Sequence, residues 1–375
     1  MKFSTFLIIA GLLGAPAVAA AAQAIEPARV LIVVSGEGRD QGKTRPGFEM
    51  DEFAQAWAVF TDNGLSVDVA SPRGGAVEAD KYDAAEPFNA RVLADAGAMR
   101  QLAQTRVAAD VKAADYAAVY VVGGKGAMFD LPADAGLKTL LASVYERGGI
   151  VAAVCHGPAA LVDVTLADGS RLVAGRNVTG FSNEEEAIFG KRWAKQFPFA
   201  LEDAMRERGA RWHEAPLMMP KVVVDGRLIT GQNPYSAPGV AEAIVRASGR
   251  TPVARTPWRD EASMALVQRL LRGEVEAART ALAAKPDVYH VSLIGLLGYY
   301  QLQTASSPPA VRDALAIMQL AEPHMPEPQL QVGIADAHFR LGDVAKARGI
   351  VVRLLASAPD MPEAKALAAR INAQP

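Results

Sequence analysis

The stretch GGIVAAVCHGPAAL, residues 148–161, decides the fold and holds the only cysteine of the 375-residue chain, Cys155. Ile150 to Val154 is an apolar, β-branched run, the pattern of a strand buried on both faces of a parallel sheet. It stops at Cys-His-Gly-Pro. Pro158-Ala159-Ala160-Leu161 then reads as a first helical turn, where proline fits because that N–H has no intrahelical partner. A strand turning sharply into a helix is the corner of a nucleophile elbow, which lifts a reactive side chain onto the rim of a sheet. A helix N-terminus beneath the sulfur predicts a bias toward thiolate. A lone cysteine can also be a small buried hydrophobe; a histidine beside it at such a corner favours chemistry.

Outward from this corner, strands alternate with helices. RVLIVVSG from Arg29 reads as a buried strand, and FEMDEFAQAWAVFTDNG from Phe48 as an amphipathic helix closed by Asn63-Gly64. LSVDVASP from Leu65 is a second strand, and YAAVYVVGG from Tyr116 a third, ending in Gly123-Gly124. A helix near Lys138 to Arg147 leads into the Cys155 strand. This alternation predicts a doubly wound, flavodoxin-like α/β domain with a mostly parallel sheet. Its ligand crevice lies beyond the C-terminal strand ends, where Ser35-Gly36, Gly123-Gly124 and Cys155 fall.

Half of the residues are apolar, so a large core is available, and the length allows two domains. A net charge of −2 points to neither nucleic acid nor an anionic membrane surface. One cysteine excludes an internal disulfide framework and a cysteine-cluster zinc site, and the five histidines show no ligand spacing. No metal and no cofactor are expected. His213, His290, His324 and His338 carry no functional signal. At the N-terminus, residues 1–24 read as a secretory signal: Lys2, an apolar stretch from Phe6 to Leu13, and small residues around Ala17 to Ala24. The apolar part is too short to span a membrane. The expectation is export to a bacterial periplasm or beyond, with no membrane association after cleavage. An unpaired thiol in an oxidising compartment is then more in keeping with function than with idleness.

After Gly249 the composition changes. RTPVARTPWRD is a Pro/Arg-rich linker, placed at 251–259, and 260–375 reads as helical hairpins with alanine-rich faces. QVGIADAHFRLGDVAKARGIVVRLLASAPDMPEA resembles a tetratricopeptide repeat, with Ala335, Gly342, Ala347 and Pro359 at its small-residue, turn and terminating positions. ALVQRLLRGEVEAARTALAAKPD reads as an earlier, degenerate copy, and VSLIGLLGYYQLQ with AVRDALAIMQLAEP as a hairpin between them. Such a stack could pack on the first domain, make a homo-oligomer or hold a protein partner.

Five motifs in order, GGKGAMFDLP, AAVCHGPAAL, VTGFSNEEE, LEDAMRERGA and VVVDGRLITGQNP, resemble the ThiJ/PfpI superfamily with its class I glutamine amidotransferase-like fold. The resemblance covers Arg29 to Gly249, is nearest the branch of stress chaperones and glutathione-independent glyoxalases (glyoxalase III), and places the catalytic domain at 25–250. It implies Cys155 as nucleophile, His156 as its partner, Glu52 in GFEMDEF as the carboxyl beside the sulfur, and Glu186 as the acid orienting the histidine. Glu184 and Glu185 stand close enough to compete for that last role, and the acidic run could also be a solvated patch. Glu52 could likewise be a solvated edge residue; buried beside the thiol, its carboxyl should be pushed up and protonated. The N–H groups of Gly124 and His156 are implied as an oxyanion hole, with Gly123 and Lys125 lining the substrate pocket. Lys125 stands where the branch commonly has histidine, and offers a fixed charge suited to an anionic substrate or a plain lining position. The implied reaction turns a 2-oxoaldehyde such as methylglyoxal into a 2-hydroxy acid such as lactate, without glutathione. Glutamine hydrolysis is disfavoured, since it uses a distant His-x-Glu. The alternative is a stress chaperone or redox sensor in which Cys155 oxidises and the helical hairpins bind clients.

Overall fold

A computed structural model describes residues 28–373 of the chain. The expected signal, residues 1–24, lies outside the described residues. The strands are β1 Arg29–Val33, β2 Ser66–Ser71, β3 Arg106–Val107, β4 Ala118–Val121, β5 Ile150–Val154, β6 Asn177–Val178, β7 Arg211–Trp212, β8 Val222–Asp225 and β9 Leu228–Gly231. Seven of them form one sheet in the order β3-β2-β1-β4-β5-β9-β8, in which only β8 and β9 run antiparallel. The mostly parallel sheet expected from the β-branched runs is therefore present, and β4 and β5 are buried at every position. Chain order reverses between β1 and β4. Register sets Val33 beside Val121, Val121 beside Ala153, and Val154 beside Gly231, so the ends of β1, β4, β5 and β9 meet at one edge. That edge holds the site.

The first helices are α1 Met50–Asp62, α2 Pro87–Ala94, α3 Ala96–Ala103, α4 Ala127–Asp130 and α5 Ala135–Glu146. They are followed by α6 Asn183–Phe189, α7 Lys191–Ala194, α8 Leu201–Glu207 and α9 Ala237–Ala247. In α1, Phe53, Trp57 and Phe60 recur on one face and are buried; Phe60 meets the Tyr120 ring of β4 edge-on, with centres 5.8 Å apart. Burying each such side chain contributes about 1.5–3 kcal/mol, which fixes the helix and with it Glu52.

The C-terminal region is helical: α10 Arg259–Leu271, α11 Val275–Ala284, α12 Val291–Thr304, α13 Pro308–Ala321, α14 Pro328–Arg340, α15 Val344–Ser357 and α16 Pro362–Asn372. The turn residue predicted from sequence, Gly342, falls between helices, as does Gly273; they sit at φ 87° and 94°, backbone that suits glycine. The Pro/Arg-rich connector has no helix or strand before Trp258, yet it is pinned. Val253 N–H donates to Asn63 Oδ1 at 2.8 Å, Arg255 pairs with both Glu242 and Glu261, and Trp258 packs edge-on against Phe88. Among the described residues no helix is long and apolar enough to cross a membrane.

Candidate active site

Cys155 follows β5 directly, and its backbone is bent into the left-handed region at φ 58°, rare for a residue with a side chain. Such strain costs on the order of 1–3 kcal/mol and persists only where the surroundings over-determine it. They do so here from several sides. Cys155 N–H donates to Gly231 O at 2.9 Å, and Cys155 O accepts from Phe181 N–H at 2.8 Å. A methyl on Gly123 would lie 2.7 Å from Cys155 Cβ, and one on Gly157 2.5 Å from Val121 O. Two glycines thus let three strand ends close around one thiol.

The turn after the elbow differs from expectation. Gly157–Leu161 is a 3-10 helix of five residues, not the first turn of an α-helix. The thiol also departs from the expected thiolate bias: burial pushes it well up, while the Gly124 N–H pulls the other way. A short 3-10 turn supplies too little aligned dipole to outweigh burial beside carboxyl groups.

Glu52 is fully buried on α1. Its Oε2 accepts from Gly123 N–H at 2.6 Å, and its Oε1 has no hydrogen-bond partner. Burial, followed by the neighbouring Glu49, pushes the Glu52 carboxyl well above the usual range. Both effects favour the protonated carboxyl, an acid placed where sulfur is the adjacent reactive atom.

On the other side of the sulfur, His156 is buried and stacked on Phe181, with ring centres 4.4 Å apart. Its Nε2 lies 2.8 Å from Glu186 Oε2 and its Nδ1 3.4 Å from Cys155 Sγ. A carboxylate accepts the Nε2–H, leaving the Nδ1 lone pair toward the thiol. The three candidate acids of the run separate cleanly. Glu184 is exposed, and Glu185 turns inward to cap α6 through Ser182. Glu185 also accepts from Met218 N–H at 3.1 Å and Asn233 Nδ2 at 2.8 Å, and burial pushes it up to about 7. Glu186 alone reaches the histidine. Gly190 leaves it room, since a methyl there would lie 2.2 Å from Glu186 Oε1.

A pocket of about 180 Å³ opens onto the sulfur, with Gly124, Lys125, His156 and Phe181 in its walls. Gly124 and His156 donate their N–H groups to no other protein oxygen among the described residues. Gly123, expected in the pocket wall, instead lies behind Cys155 and binds Glu52. Lys125 does line the pocket together with Glu49 and Asp80; burial raises both acids, and the lysine charge opposes that rise only in part. Glu49 is pushed up to about 8, chiefly by burial and then by Asp51 and Asp80.

Reading the sequence did not single out Glu49, Asp80, Met218, Asn233 or Tyr235, all of which line the pocket. Glu49 was within reach, three residues before Glu52 on the same helical approach. Asp80 comes from a loop, tied to Gly47 N–H at 2.6 Å, and carries no local pattern. No group of three or more potential metal ligands occurs among the described residues.

The DJ-1/PfpI family model matches residues 44–247, and the chain belongs to that family. Curated proteins similar to it include glutathione-independent glyoxalases. A glutathione-independent glyoxalase of Schizosaccharomyces pombe, hsp3101, is 33% identical over 214 residues, 54% of this chain and 87% of that protein. The glutathione-independent glyoxalase HSP31 of Saccharomyces cerevisiae is 31% identical, over 52% of this chain and 80% of its own. Among solved structures, glyoxalase III from Candida albicans superposes with a TM-score of 0.53 at 27% identity, covering 59% of this chain and 97% of that one.

Proposed function

We propose that this protein is a glyoxalase III-type enzyme that converts 2-oxoaldehydes to 2-hydroxy acids without glutathione, with Cys155 as nucleophile. The observation that carries the reading is the thiol held between a buried carboxyl, Glu52, and a base, His156, oriented by Glu186. Relatives of this branch that are named glutathione-independent glyoxalases support it.

The steps follow from the proton inventory. His156 Nδ1 takes the thiol proton, and its cation is stabilised by Glu186. The thiolate adds to the aldehyde carbon, and the new alkoxide is received by the N–H groups of Gly124 and His156. Protonation of that oxygen gives a hemithioacetal. Removal of the proton from the former aldehyde carbon, with protonation of the ketone oxygen, gives an enediol. Return of a proton to the second carbon, with loss of the hydroxyl proton from the first as its carbonyl forms, gives the thioester of the 2-hydroxy acid. Glu52 and His156 face the reacting carbons from two sides and divide these transfers. Water then cleaves the thioester and restores the thiol, so that methylglyoxal plus water becomes lactate, in a lyase-type reaction with no external redox partner.

The N-terminal pattern supports a further part of the proposal: the enzyme is exported with residues 1–24 removed. Fractionation of tagged protein, with sequencing of its new N-terminus, tests this; an intact N-terminus in the cytoplasm contradicts it. The paired helices α12/α13 and α14/α15, with glycine at the Gly342 turn, support reading the C-terminal region as a tetratricopeptide-like stack. The activity test is incubation of the purified chain with methylglyoxal and with glyoxal, free of glutathione, and quantification of lactate and glycolate. Formation of the hydroxy acids is expected. A folded chain with a reactive thiol and no product overturns the glyoxalase reading in favour of a sensor or chaperone.

A further inference from the structure

One wall of the candidate active site is packed into the helical region rather than into the sheet domain. Leu217, Met218 and Met219 belong to the same hydrophobic cluster as Leu293, Ile294 and Leu297 of α12. Leu217 is 1% exposed. Its carbonyl accepts from Gln301 Nε2 of α12 at 2.9 Å, so a buried amide from the C-terminal region holds the loop. Met218 is bent into the left-handed region at φ 63° and lines the pocket, while its N–H donates to Glu185. The next residue of α12, toward its N-terminus, makes a second contact. The Tyr300 ring meets Phe189 edge-on, with centres 5.1 Å apart, and Phe189 is both the end of α6 and a pocket residue.

These contacts converge on one element. Helix α6 carries Glu185, Glu186 and Phe189, and Glu186 orients His156. Gln301 steadies the loop that hydrogen-bonds α6 near its start, and Tyr300 steadies its end. Two adjacent residues of one helix thus brace both ends of the short helix behind the histidine. The family model ends at residue 247, so this brace comes from outside the portion of the chain that defines the family.

We propose that Tyr300 and Gln301 are positioning residues of the active site: the helical region sets the shape of the Met218–Phe189 wall and the placement of Glu186. A strained, pocket-facing Met218 requires such a brace, because left-handed backbone at a residue with a side chain relaxes when its surroundings loosen. An unbraced wall opens the pocket and lets Glu186 drift, and displacements near 1 Å at such groups cost on the order of a hundredfold in rate.

The inference rests on the proposed active site, but its test needs no turnover. Cys155 is the only cysteine, so alkylation of the full chain by iodoacetamide reads the accessibility and activation of one atom. Gln301→Met keeps the volume and removes the donor; Tyr300→Leu removes the ring edge. Each is expected to change the alkylation rate by about tenfold at a temperature well below its melting point, with Tyr300→Phe and the exposed Val352→Ala at the wild-type rate. With methylglyoxal as substrate, the same two variants should raise KM as the wall opens and lower kcat as Glu186 drifts. Alkylation rates for Gln301→Met and Tyr300→Leu within twofold of wild type overturn the proposal. Absence of product from the wild type would sink the glyoxalase reading alone, since the thiol rates still decide this one.

Discussion

The elbow around Cys155 and the turns of the helical region both depend on glycine, for opposite reasons. At Gly273 and Gly342 a methyl group would meet nothing within 4 Å, and glycine serves only the positive φ that reverses the chain. At Gly123 and Gly157 the φ is ordinary and the space is missing: a methyl would strike Cys155 Cβ or the Val121 carbonyl. The helical turns are conformational, open and local. The elbow is steric, closed and long-range, assembled from strand ends far apart in sequence. A site that holds a thiol in strained backbone needs the second kind of construction, because only crowded neighbours keep the strain from relaxing.

The sharpest way to break this contrast is Gly123→Ala. The added methyl crowds the elbow and the N–H that binds Glu52, and a loss of about 2–3 kcal/mol in unfolding free energy is expected, with activity lost in the protein that does fold. Urea denaturation checks it; a change below half a kcal/mol (about the scale of a neutral surface change) would mean that the elbow is not closed. Glu186→Gln comes next. It keeps the volume but removes the charge that stabilises a protonated His156, so kcat should fall by about 10- to 100-fold with little change in melting temperature. An unchanged kcat would leave the histidine without an orienting acid.

Smaller is the effect of Glu49. Its carboxyl is raised to about 8 in the folded protein against 4.5 for an ordinary glutamate. Between these values the native state binds the extra proton, so stability falls as pH rises through this window and levels off above it. Wild-type melting temperature should therefore decline from pH 5 to pH 9, and Glu49→Gln should flatten that decline. A variant with the wild-type slope would show that Glu49 titrates normally. The smallest expected effect is at Gly342: replacement by Asn, which tolerates left-handed backbone, should cost under about 1 kcal/mol and leave turnover untouched. A large loss there would put hidden packing at the turn and erase the contrast.

The legible parts of the molecule were those with local signals. Ile150 to Val154, Phe53, Trp57 and Phe60 announced a buried strand and its covering helix through periodicity alone. Gly342 marked its turn. Glu186 was separable from Glu184 and Glu185 only by resemblance, and in space it is the helical turn of α6 that aims one acid at His156 and its neighbour into the core. What stayed hidden depended on distant chain segments. The raised thiol follows from burial beside Glu52, from a helix a hundred residues earlier, so the elbow motif by itself pointed the wrong way. Glu49 and Asp80, which share the pocket with Lys125, come from an N-cap and a loop that carry no local pattern. Gly123 looked like a pocket residue because it sits at a strand end, yet its role is to stay small behind the sulfur. Gln301 gave no local sign that it reaches back to Leu217.

The central claim is that Cys155 attacks the substrate while Glu52 supplies protons beside it. The measurement that tests it most directly is glutathione-free conversion of methylglyoxal by wild type, Cys155→Ser and Glu52→Gln in parallel, with lactate quantified and folding verified by circular dichroism. The account predicts lactate from wild type alone, with the Cys155 thiol of Glu52→Gln still open to alkylation. Lactate from folded Cys155→Ser at the wild-type rate would contradict it.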